Sequence, residues 1–83
     1  PTHIIESYIS NFIFQSLQIN PEAIQYIERV KFNASETKLV KIITQKKNLN
    51  DAINEAVLTY NYKKDEVLKV FFMLEIIDYI KHQ

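Results

Sequence analysis

The chain contains no cysteine, which excludes disulfides, iron–sulfur clusters and thiolate zinc sites and makes a reducing, cytoplasmic compartment the expected home. It contains no glycine either, so it has no Walker-type phosphate loop, no dinucleotide-binding fingerprint and no glycine-cornered nucleophile elbow. Charge of a dominant sign is also missing. Ten Lys and Arg balance ten Asp and Glu, leaving no net field to draw the chain toward nucleic acid or anionic lipid. The longest uncharged stretch, Ser7 to Pro21, carries Ser, Asn and Gln throughout and is too short and too polar to span a bilayer. The N-terminus, Pro1-Thr2-His3-Ile4-Ile5-Glu6, has neither a basic region nor a small-residue cleavage site.

What is present is apolar residue at helical spacing. Hydrophobic residues make up 47% of the 83, an ordinary globular proportion and enough for one small core. Because it starts at Pro1, the chain is expected to be a single domain cut from a longer multidomain protein, or a processed chain. Ile5, Tyr8, Ile9, Phe12 and Ile13 predict a first helix over about His3 to Leu17. Asn20-Pro21-Glu22 is an N-cap, a first-turn proline and a first-turn acid, opening a short second helix to about Arg29. Val30-Lys31-Phe32 is β-prone but brief, a strand stub or a link. Asn33 and Glu36 have capping-box spacing at the head of a third helix to about Gln45, and Lys46-Lys47 suit its C-terminal end. Asn48 repeats the cap for a fourth helix with the stripe Leu49, Ala52, Ile53, Ala56, Val57 and Tyr60. Asn61 tolerates left-handed backbone and fits the helix C-cap that follows. The last helix starts near Lys64, carries Val67, Val70, Phe71, Leu74 and Ile77 on one side, and ends near Ile77 or Asp78, with Tyr79–Lys81 as a short extended tail. The expected fold is therefore all-α, a compact bundle of about five helices.

The last three helices have the rhythm of a helix-turn-helix within a winged-helix-like core. The run is Asn48-Leu49, Ala52-Ile53, a turn at Asn61-Tyr62-Lys63, then Glu66-Val67-Leu68-Lys69-Val70-Phe71 and Leu74, closing on Ile77-Asp78-Tyr79-Ile80. With Ile4-Ile5-Glu6 and the first helix ahead of it, the chain resembles the helical region that follows the PatA N-terminal-like (PATAN) domain in bacterial signalling proteins. Such turns usually carry glycine where Asn61 stands and Ser or Thr where Lys63 stands. The resemblance implies a non-catalytic regulatory module, with no catalytic residue to carry over.

Chemistry-bearing residues are scattered. His3 and His82 sit at opposite ends, and Asp78, four before His82, gives too few ligands for a metal. Asp65 and Glu66 are adjacent, so on a helix their side chains diverge by about 100°. Asp51 and Glu55 share a helix face and read as a cap residue and a solvated helix surface. No catalytic, cofactor or metal residue is expected.

Two surfaces stand out instead. Phe72, Met73 and Ile76 fall opposite the Val67–Phe71–Leu74 stripe of the last helix; that second apolar face is either covered by the first two helices or free to bind another protein or the parent chain. Phe14 and Tyr62 are further candidates for such contacts. Lys46, Lys47, Lys63 and Lys64 are candidates for a basic patch across two turns. Sequence-specific DNA binding is disfavoured, because the last helix offers no Arg, Asn or Gln to base edges and the single arginine, Arg29, lies elsewhere. The expected function is thus a protein–protein interaction module; the alternatives are a DNA-binding helix-turn-helix regulator and a homodimer formed through the last helix.

Overall fold

The computed structural model describes Ser7, Tyr8, Ser10 and residues 13–82, with His82 described through its backbone alone. Seven of the fifteen residues of the first predicted helix lie outside the described residues. Ser7, Tyr8 and Ser10 are helical, but the chain turns at Ile13–Gln15 and Leu17 is already in a strand, so the helix does not reach Leu17.

Strand β1 spans Leu17–Ile19 and is followed by a single 3-10 turn, Pro21–Ala23, running into helix α1, Ile24–Ile27. Asn20 caps this segment as its sequence predicts, accepting the Glu22 N–H at 3.2 Å. Val30–Phe32 forms no strand; it links α1 to α2, Ala34–Gln45. The head of α2 is a complete capping box. The Glu36 N–H donates to Asn33 Oδ1 at 2.7 Å, and the Asn33 N–H donates to Glu36 Oε1 at 3.0 Å.

Asn48 caps α3, Leu49–Asn54, by accepting the Asp51 N–H at 2.8 Å. The coil then widens into a π turn over Glu55–Thr59. Asn61 closes it in the left-handed region at φ 62°. The Tyr62 N–H reaches back to the Ala56 carbonyl at 3.0 Å, one residue farther than an α-helical closure of this kind, because the turn it seals is a π turn.

Helix α4 is Lys64–Ile76. Lysine has no side-chain acceptor, so only half a box forms at its head: Glu66 Oε1 accepts the Lys63 N–H at 3.0 Å. Its end is a Schellman closure around Asp78, at φ 59°. The Asp78 N–H bonds the Glu75 carbonyl at 2.9 Å and the Tyr79 N–H bonds the Leu74 carbonyl at 2.9 Å.

The tail expected at Tyr79–Lys81 becomes strand β2, Ile80–His82, paired antiparallel with β1 in the register Leu17↔His82, Gln18↔Lys81 and Ile19↔Ile80. The strand partner of this tail is thus β1 and not the β-prone Val30–Phe32. Among the described residues the fold is mostly helical, with four helices and one two-stranded sheet. The core is one cluster: Leu39, Ile42 and Ile43 of α2, Leu49, Ala52, Ile53 and Ala56 of α3 and its π turn, Val67, Leu68, Val70, Phe71 and Leu74 of α4, and Ile80 of β2. The last helix is central, burying a wide arc rather than a narrow stripe. No helix among the described residues is long and apolar enough to cross a membrane.

Candidate interaction surfaces

The second face of α4 is split by depth. Phe72 is half-buried, edge-on to Phe71 at a ring separation of 5.9 Å and 6.1 Å from the ring of Tyr8, so it packs on the core. Met73 is half-buried as well. Ile76, by contrast, is 82% exposed. Helical geometry puts it on one ridge with Asp65, Lys69 and Phe72, at steps of four, three and four residues. Tyr8, Phe72, Glu75 and Ile76 line a shallow hollow of about 430 Å³.

Phe14 is 71% exposed in the turn before β1, as a free aromatic contact requires. Tyr62 is not free. Its hydroxyl donates to the Ser35 carbonyl at 3.0 Å and accepts from Ser35 Oγ at 3.4 Å, and its ring packs on the core. It is a lid joining the π turn to the head of α2. Leu58, in the π turn, is 78% exposed and is a further outward apolar residue.

The four lysines form no common patch. Lys63 and Lys64 begin α4 at the end of the molecule where Tyr62 meets Ser35, the head of α2. Lys46 and Lys47 lie at the opposite end of α2, about 18 Å away for a twelve-residue helix. Lys46 is also engaged: its Nζ is 2.7 Å from Glu55 Oε1, and that bond, with the field of Glu55 and Asp51, holds its pKa above the usual lysine value. The Lys47 carbonyl accepts the Leu17 N–H at 2.8 Å and anchors β1.

The surface the sequence reading missed lies along α2. Residues 29–47 carry Arg29, Lys31, Lys38, Lys41, Lys46 and Lys47 against Glu36 alone, a net charge of +5, so the rest of the neutral chain is −5. A balanced total had concealed this segregation. The exposed positions of α2 include Thr37, Lys38, Lys41 and Gln45, without a carboxylate among them, while Glu36 is turned back to cap its own helix. Lys38 sits with its Nζ 3.9 Å from the centre of the Tyr60 ring, which restrains the side chain without neutralising it. Beside Thr37 and Val40 runs a groove of about 520 Å³, lined also by Ile27, Val30, Phe32, Glu28 and Lys31.

Among the described residues there is no cluster of three or more His, Asp or Glu placed to hold a metal ion. Asp78 is used structurally, its carboxylate and carbonyl accepting from Asn20 Nδ2 at 3.1 and 2.9 Å. His3 lies outside the described residues. No protein family, curated protein or solved structure matches the chain.

Proposed function

We propose that the chain is a non-catalytic protein–protein interaction module, a regulatory piece of a bacterial cytoplasmic signalling protein, with α2, α3 and α4 serving as a helix-turn-helix or winged-helix-like core. The resemblance of helices three to five to the region after PATAN domains supports the class. The observation that carries the docking role is Ile76. An aliphatic side chain 82% exposed, on a helix whose other large aliphatics turn inward, forms the rim of a hollow floored by Phe72. Docking there would bury Ile76 and the half-buried edges of Phe72 and Met73, on another protein or on the parent chain's other domains. Phe14 would add a second contact; Tyr62 would act by holding the turn in shape.

Light-scattering mass combined with a duplex-DNA titration at low and high salt separates this function from its rivals. A species of 9.9 kDa that ignores duplex DNA is the expected result. Tight, salt-sensitive DNA binding would move the function to the lysines, and a doubled mass abolished by Ile76→Ala would make α4 a homodimer face.

A further inference from the structure

We infer that the exposed face of α2 and the groove beside it form a docking site for an acidic, apolar-anchored peptide segment of another protein. The site is separate from the Ile76 hollow. It is built from two parts: the apolar groove floored by Ile27, Val30, Phe32 and Val40, with Lys31 in its lining, and the exposed cations Lys38 and Lys41 of α2, which lie outside that lining.

The cations fix the sign of the partner. Lys38 and Lys41 are one helical turn apart on the solvent side of α2, and Lys31 lines the groove together with Thr37 and Val40. Tyr60 holds Lys38 in place. A segment leaving the groove across the exposed face of α2 would meet Lys31 at the groove itself and then Lys41 and Lys38 on the helix. The single carboxylate lining the groove, Glu28, lies at its α1 end.

The groove fixes the rest of the chemistry. Its aliphatic and aromatic floor rewards side chains such as Leu, Ile or Phe entering from the partner. Phosphates gain nothing from that floor, and lysines alone lack the planar fork with which arginine grips phosphate or guanine. An extended or helical segment with acids flanking apolar anchors satisfies both parts at once, whereas a nucleic acid satisfies only the cations. The net charge of −5 elsewhere in the chain makes a second copy the natural competitor.

The test is a fluorescence-anisotropy titration of the intact chain at low salt with three labelled probes. One is a 16-residue peptide of Glu, Asp, Leu and Phe; the second replaces its Leu and Phe by Ser; the third is a single-stranded oligothymidylate of equal charge. The acidic apolar peptide should bind tightest. Lys38→Glu with Lys41→Glu, both on exposed positions, should weaken it about tenfold, and added salt should weaken it progressively. Backbone NMR shifts should concentrate on Val30–Phe32 and Thr37–Lys41. Binding of the oligonucleotide or the Ser peptide as tight as that of the apolar peptide would overturn the inference, as would indifference to the double substitution. So would the absence of binding by any probe, or a concentration-dependent mass that the double substitution abolishes, which would assign the face to a second copy.

Discussion

Two residues with positive φ show how much a single position decides. Asn61, at φ 62°, and Asp78, at φ 59°, occupy backbone that glycine adopts without strain, in a chain with no glycine. They are not equivalent. No side-chain hydrogen bond ties Asn61, so Asn61→Gly should stabilise the domain by about 0.5 kcal/mol, the relief of strain outweighing the extra freedom of the unfolded chain. Asp78 accepts from Asn20 Nδ2 through its carboxylate. Asp78→Gly should therefore destabilise, and Asn20→Ala, which also removes the Glu22 cap, should cost about 2 kcal/mol. Thermal melts of the three variants in parallel check the signs. A further residue-scale prediction concerns Lys46. Its raised pKa means that the pair with Glu55 contributes in full below the unfolded value of 10.5 and loses its contribution as pH climbs through the folded value above it. The stability gap between the native chain and Glu55→Gln should hold steady from neutral pH to about 10 and close beyond it; a gap that widens there would refute the assignment.

At the scale of elements, the caps were legible because their chemistry is local. Asn20, Asn33 with Glu36, and Asn48 each stand within three residues of the N–H they accept. Strand β1 was not legible. Leu17–Ile19 has nothing local to mark it, and its pairing depends on β2 some sixty residues on, with an added bond from Leu17 to Lys47. The π turn was hidden for a similar reason, since Glu55–Thr59 continues the apolar stripe of α3 and differs only in the backbone bond that seals it. Periodicity also ran out on α4. The wheel placed Phe72, Met73 and Ile76 together, but Phe72 leans on Tyr8 and Phe71 while Ile76 clears the surface. The consequence is testable by chemical denaturation. Phe71→Ala, at a position with no exposure, should cost about 3–5 kcal/mol; Phe72→Ala should cost less, and Ile76→Ala should change stability by no more than about 0.5 kcal/mol.

At the scale of the whole molecule, a neutral total hides a dipolar surface. The positive segment from Arg29 to Lys47 coincides with the linker and α2, while the compensating carboxylates lie elsewhere along the chain. Counting charge over the full length concealed this; counting it element by element would have revealed it. The lysine pairs at 46–47 and 63–64, close in the helix-turn-helix reading, are held apart by the length of α2. The molecule therefore offers two unlike surfaces, an apolar hollow at Ile76 and a basic, groove-bordered face along α2. The most direct measurement is affinity capture of partner proteins with the native chain and the Ile76→Ala variant side by side, each verified as folded by circular dichroism. The proposed role predicts a specific partner held by the native chain and lost by the variant, with helical content unchanged. Equal capture by both would contradict docking at the Ile76 hollow.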